Sequence, residues 1–147
     1  VILVDDLESE SNAEFALQLK SEIQFRPTAA EIAALLHKSD RVVPAPGLPE
    51  SHQLFDASRR LQKPVMSEIE LAYQIEQQSS APRPMVAVTG TDGKTTTTLM
   101  AAAILNSAGK KSLAVGNTDL PLIAALRTDA QAFVVECSSF RLALTQS

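Results

Sequence analysis

Residues 85–98, Met-Val-Ala-Val-Thr-Gly-Thr-Asp-Gly-Lys-Thr-Thr-Thr-Thr, join an apolar strand-forming run to a glycine-rich turn, a lysine and a block of hydroxyls. That order of parts admits few structures. Gly90 and Gly93 permit a tight turn whose N–H groups face inward, with no Cβ to obstruct a polyphosphate, and Lys94 adds a compact positive charge. The turn then opens a helix whose unpaired N-terminal amides favour an anion. Threonines start a helix poorly, because β-branching costs side-chain freedom and the hydroxyls compete for backbone partners, so another requirement places them here. In phosphate loops the hydroxyl directly after the lysine reaches the magnesium ion of a nucleotide, which singles out Thr95. Without a phosphate, the same stretch reads as a glycine turn before a threonine-capped helix, with Lys94 in solvent.

Along the chain, short β-branched or apolar runs alternate with amphipathic helical stretches, which predicts an α/β fold with a mainly parallel sheet. Strands are expected at 1–4, 22–25, 41–44, 64–66, 85–89, 112–115 and 132–136. Ser11-x-x-Glu14, Thr28-x-x-Glu31 and Ser67-x-x-Glu70 each fit a capping box ahead of apolar positions. After Thr28, Ile32, Leu35 and Leu36 recur at helical spacing and predict a buried face. Further helices are expected near 51–62, over 95–108 with Gly109 closing it, and near 120–127. Residues 77–84, Gln-Gln-Ser-Ser-Ala-Pro-Arg-Pro, lose apolar periodicity and place a domain boundary between a unit of about 1–82 and another from about 83.

The strand over 132–136 ends in Glu136. Ligands of doubly wound sheets sit at the carboxyl edge of the strands, where the loop after 85–89 also lies, so Glu136 is placed to face the same phosphates as Lys94. A bare carboxylate beside polyphosphate repels it, and a bridging magnesium removes the conflict. Otherwise it is a solvated strand-end glutamate.

Composition narrows the class. The 147 residues carry 17 acidic and 13 basic side chains, a formal charge of −4, with no long basic run to attract nucleic acid. Cys137 is the single cysteine, so no internal disulfide forms, and its apolar strand makes it a small buried hydrophobe. No apolar run approaches a membrane span and no signal peptide is visible, so a cytoplasmic location is expected. Both ends read as cut from a longer protein, Val1 opening directly into a strand and Ser147 closing without a stop signal. His37 and His52 have no second metal ligand at useful spacing and read as surface or helix-end residues.

Thr-Gly-Thr-Asp-Gly-Lys-Thr-Thr, residues 89–96, lacks the earlier glycine of the common Walker loop, the position being Val88, and resembles the ATP signature of the Mur ligases and related folylpolyglutamate synthases. Glu136-Cys137-Ser138-Ser139-Phe140-Arg141-Leu142 resembles the E-x-S-S-F-Q-L element of the D-glutamate-adding branch of the Mur ligases, Arg141 standing where that element has glutamine. Ala45-Pro46-Gly47 resembles the family's S-P-G loop near uracil, without the serine hydroxyl. Gly116-Asn117 resembles its G-N-x-G-x-P element, with Asp119 in place of glycine and Pro121 kept.

The resemblance implies a Rossmann-like domain for the UDP substrate over 1–82 and the N-terminal part of a central ATP-binding domain over 83–147. It implies ATP and magnesium as cofactors, with Gly90, Thr91, Asp92, Gly93, Lys94, Thr95 and Thr96 on ATP, Thr95 and Glu136 on the metal, and Lys94 and Glu136 in catalytic roles. Asp5, Asp6, Ala45, Pro46, Gly47, Asn117, Ser138 and Arg141 are the implied contacts to UDP-N-acetylmuramoyl-L-alanine. The implied reaction couples D-glutamate to that substrate through an acyl phosphate, in peptidoglycan precursor synthesis. The chain by itself is expected to be inactive, because the remaining domains lie outside it. A sister Mur ligase, a folylpolyglutamate synthase relative, and a nucleotide-binding module without transfer chemistry are the alternatives.

Overall fold

A computed structural model describes residues 1–146. The chain divides into two compact units, one made of Val1–Val42 and Leu48–Val65, the other of Val43–Gly47 and the chain from Met66 onward.

In the first unit, strands β1 (Ile2–Asp5) and β2 (Glu22–Phe25) pair in parallel, Ile2 opposite Glu22 through Asp5 opposite Phe25, and helix α1 (Glu10–Gln18) connects them. A parallel pair needs such a crossover, because a tight hairpin reverses direction. The helix starts one serine earlier than the expected capping box. Ser9, in extended conformation, accepts from the Asn12 N–H at 3.3 Å, and Ser11 lies inside the helix. The Asn12 side chain donates to Asp5 Oδ2 at 2.7 Å, which ties the first helical turn to the end of β1 and sets where the helix begins. Helix α2 (Ala29–His37) has the full box: Thr28 Oγ1 caps the Glu31 N–H, and Glu31 Oε2 accepts from the Thr28 N–H at 2.7 Å. Ile32, Leu35 and Leu36 are buried as their spacing predicts. Helix α3 (Gln53–Arg60) comes next, capped by His52. The strands expected at 41–44 and 64–66 reduce to a single bridge, Val42 opposite Val65, with the Val42 N–H donating to Pro64 O at 2.9 Å. Pro44, Pro46 and Pro64 have no N–H to extend a ladder.

The second unit opens with helix α4 (Glu68–Gln77). Ser67 Oγ caps the Glu70 N–H at 3.1 Å, but the buried Glu70 carboxylate turns to Gln74 and the Gln146 N–H, so the box is not reciprocal. Then come β3 (Met85–Val88), α5 (Lys94–Ser107), β4 (Ser112–Gly116), α6 (Leu122–Ala125), β5 (Ala132–Glu136) and α7 (Ser139–Ala143). The three strands are parallel in the order β3-β5-β4. β5, last in sequence, therefore lies in the middle, and every one of its residues is buried, which is why Ala-Phe-Val-Val reads as a continuous apolar run.

Ile69 and Ala72 of α4 join Val115, Leu122, Ala125, Phe133, Val135 and Cys137 in one core. The helix that precedes the proline-rich stretch thus packs with the strands and helices beyond that stretch, and the compact division falls at Val65/Met66. Arg83 secures the connection. Its guanidinium donates to both Glu76 oxygens, at 2.8 and 2.6 Å, and to the carbonyls of Leu126, Thr128 and Ala130, and lies 4.6 Å from the Phe133 ring centroid. The guanidinium hydrogen bond holds the Glu76 carboxyl below the usual carboxylate range, and Glu76 in turn raises Arg83. Among the described residues no helix is long and apolar enough to cross a membrane.

Candidate active site

The register of the second sheet places Val88, Glu136 and Gly116 side by side at the carboxyl ends of their strands. The three segments that continue from them leave from one edge. After Val88 comes the loop to α5, after Gly116 comes Asn117, and after Glu136 comes Cys137, whose N–H donates back to Val88 O at 2.8 Å.

Gly93 is the N-cap of α5 at φ +75°, a left-handed conformation that glycine adopts without strain, and no side chain caps the helix. The first turn of α5 is therefore left without the side-chain acceptor that usually satisfies it, which favours an anion there. Lys94 Nζ bends back over the loop and donates to Gly90 O at 2.8 Å and Thr91 O at 3.0 Å. Neutral carbonyls hold an ammonium more weakly than charged oxygens do, so the lysine could exchange these partners for those of an anion. Thr91, Asp92, Thr95 and Thr96 are exposed around it. Thr98, the last of the threonine block, has a different job: its side chain is fully buried in the helix face packed on the sheet, and its hydroxyl has no hydrogen-bond partner. Only its position one helical turn after Lys94 distinguishes it in the sequence.

Glu136 is 2% exposed. Its Oε1 accepts from Asn117 Nδ2 at 3.3 Å, and its Oε2 is buried without a partner. Burying an uncompensated carboxylate oxygen is costly, and an ion that completes it would remove that cost. No group of three or more His, Cys, Asp or Glu gathers among the described residues. A cation here would be held by one carboxylate together with a hydroxyl and phosphate oxygens. That donor set suits magnesium, which typically takes one or two carboxylates plus substrate phosphates.

The remaining expected residues carry local duties. Asp5 Oδ1 accepts from the Leu7 N–H at 2.9 Å while Oδ2 holds Asn12. Asp6 Oδ2 lies 3.1 Å from His52 Nε2, and His52 Nδ1 accepts from the Leu54 N–H, so the neutral imidazole with its proton on Nε2 satisfies both contacts. Sequence spacing held no sign of this Asp6–His52 pair. Both aspartates lie in the first unit, while Ala45, Pro46 and Gly47 fall in the second. Ser138 caps α7 by accepting from the Arg141 N–H at 3.3 Å. Arg141 pairs with Glu68 Oε2 at 3.3 Å, and Glu68 Oε1 accepts from the Ile123 N–H at 2.6 Å, so Arg141 joins α7 to α4 and α6. Cys137 is buried, and burial pushes its thiol up.

Residues 88–147 match the family described as Mur ligase middle domain. The chain is 41% identical over 109 residues to UDP-N-acetylmuramoylalanine--D-glutamate ligase of Syntrophus aciditrophicus (strain SB), covering 73% of this chain and 23% of that protein. It is 42% identical over 105 residues to the ligase of the same name from Koribacter versatilis (strain Ellin345), covering 70% and 22%. The Streptococcus pneumoniae serotype 19F (strain G54) ligase is 38% identical over 103 residues, covering 69% and 22%. The chain thus spans less than a quarter of the length of these relatives. Among solved structures, the UDP-N-acetylmuramate:L-alanyl-gamma-D-glutamyl-meso-diaminopimelate ligase from Neisseria meningitides is similar in fold, with a TM-score of 0.50 at 20% identity, covering 95% of this chain and 47% of that one.

Proposed function

The chain belongs to the Mur ligase family through its segment 88–147, and from that premise we propose that it is part of an ATP-dependent ligase that adds D-glutamate to UDP-N-acetylmuramoyl-L-alanine in the cytoplasm. The observation that carries the reading is the buried, unpartnered Oε2 of Glu136 on the strand edge from which the phosphate loop also departs. In the proposed reaction an oxygen of the L-alanyl carboxylate takes the γ-phosphoryl group of ATP, giving an acyl phosphate and ADP. The amine of D-glutamate then attacks the acyl carbon, the amide bond forms, phosphate departs and the amine loses a proton.

Lys94 would exchange the carbonyls of Gly90 and Thr91 for β- and γ-phosphate oxygens, a neutral pair of acceptors for charged ones. Backbone amides from Gly90 through Thr96 would receive the same phosphates, meeting the charge that develops during transfer with donors already oriented. Thr95 and Glu136 would hold magnesium, which when bound neutralises phosphate charge and polarises the transferring group. Asp5, Asp6, Ala45, Pro46, Gly47, Asn117, Ser138 and Arg141 are the proposed contacts to the UDP-linked substrate, Asn117 to its muramoyl part. Because the chain spans so little of its relatives, it is proposed to bind but not, by itself, to complete ligation.

The test is ATP-dependent phosphate release by the full-length protein that carries this chain. It is assayed with UDP-N-acetylmuramoyl-L-alanine and, separately, D-glutamate, L-lysine and meso-diaminopimelate. Release with D-glutamate alone is expected. Release with another amino acid moves the assignment to a sister ligase, and ATP binding without release leaves a nucleotide-binding module. In the same assay Lys94→Ala is expected to lose at least about a hundredfold in turnover, roughly the loss when one preorganised charge-stabilising group is removed, while unfolding in urea as the parent does. Retained turnover refutes the role of Lys94.

A further inference from the structure

We propose that Asn117 is a positioning residue for Glu136, its carboxamide holding Oε1 so that Oε2 alone is left for a divalent cation; this rests on the reading of Glu136 as a cation ligand. Two hydrogen bonds fasten Asn117 to that one residue. Its main-chain N–H donates to Glu136 O at 2.9 Å and its side-chain Nδ2 to Glu136 Oε1 at 3.3 Å. The preceding residue makes the approach possible. Gly116 stands opposite Glu136 in the ladder at φ +101°, and a Cβ there would lie 2.5 Å from Glu136 O. Glycine at 116 lets the chain bring Asn117 directly onto the glutamate.

The chemistry of the partner matters as much as its place. A lysine or arginine at 117 would orient the carboxylate but cancel the charge that a cation needs. A carboxamide donates one hydrogen bond to the carboxylate and adds no charge of its own. Only the amide N–H₂ can face a carboxylate oxygen, so the orientation of the Asn117 amide follows from its partner. With Oε1 occupied, the carboxylate can no longer rotate freely about its last torsion, and Oε2 is presented in one direction. Partners of this kind behind a metal ligand are typically worth roughly 10–100-fold in metal affinity.

The sequence resemblance reads Asn117 as a contact to the muramoyl substrate. The geometry assigns it a role that does not need that substrate, and this makes the two separable.

The experiment measures Mn²⁺ binding to the full-length protein that carries this chain, with ADP present, by electron paramagnetic resonance of the free ion. In parallel, ADP binding is measured by calorimetry in excess EDTA. Asn117→Ala, and Asn117→Ser as a second variant that keeps a small polar turn residue, are expected to weaken Mn²⁺ binding about 10–100-fold. Metal-free ADP affinity should stay nearly unchanged, which a merely structural loss would not allow. Mn²⁺ affinity unchanged in both variants overturns the proposal, and so does an equal loss of metal-free ADP binding. Glu136→Gln separates the underlying reading: it should abolish tight Mn²⁺ binding, and if it does not, Glu136 is no cation ligand. A full-length parent that binds neither ADP nor Mn²⁺ overturns the phosphate-loop reading and this proposal with it.

Discussion

Gly116→Ala should be among the most damaging single-methyl additions in the second unit, for a reason visible in its surroundings. The residue sits at φ +101°, where an L side chain is strained, and its new Cβ would meet Glu136 O at 2.5 Å, Glu136 N at 3.1 Å and Val135 Cγ1 at 3.1 Å. Two of these neighbours are backbone of the central, fully buried strand β5, which cannot turn aside as a flexible side chain would. The conformational part costs about 1–3 kcal/mol, and forcing a packed backbone apart adds about 1–3 kcal/mol. The expected loss of about 2–6 kcal/mol is a large share of the roughly 5–15 kcal/mol that holds a domain together. Gly109→Ala supplies the control, because Gly109 has a similar positive φ of +79° and nothing within 4 Å of a built Cβ. It should show the conformational cost alone. Urea unfolding is read by the fluorescence of Tyr73, the single tyrosine of a chain without tryptophan, which lies on α4 in the same unit as both glycines. If the two alanine variants lose equal stability, the close approach of Gly116 to Glu136 is refuted, and Asn117 loses the support for its position.

Other consequences are simpler to check. Arg83 depresses the Glu76 carboxyl in the folded chain, so its share of stability is present above the unfolded glutamate value of about 4.3 and is lost as pH falls through the lower folded value. Glu76→Gln should therefore flatten the acid side of the stability curve followed by Tyr73, and an unchanged acid slope refutes the link. Arg141→Gln removes the ion pair with Glu68 and should cost about 1.5–3 kcal/mol, the range for a hydrogen bond to a charged group, in urea unfolding; equal stability would mean that α7 docks without it. Cys137, 2% exposed and with its thiol pushed up by burial, should resist an aromatic disulfide reagent at mildly alkaline pH in the folded chain and react in urea. Fast labelling of the folded protein would contradict its placement.

The local chemistry was legible in the sequence. The glycine turn that opens α5, the Thr28 capping box, the buried stripe of Ile32, Leu35 and Leu36, and the apolar run of β5 all depend on residues within a turn or two of one another. Where the sequence misled, the missing information lay further off or in the prolines. Ser9 and Ser11 are both able to cap, and the decision fell to a bond from Asn12 to Asp5, seven residues away. The runs at 41–44 and 64–66 have strand-like composition, yet prolines leave them one bridge.

What only the tertiary structure decided is which distant groups meet. Asn117 and Glu136 are 19 residues apart and Arg141 and Glu68 are 73 apart, and no periodicity encodes such pairs. They depend on β5 entering between β3 and β4, which brings three strand ends to one edge and buries Glu136 with one oxygen held and one left over. Helix and strand signals are carried by neighbours along the chain. The state of a carboxylate is set by whatever the fold packs around it, and that is known only once the strand order is known.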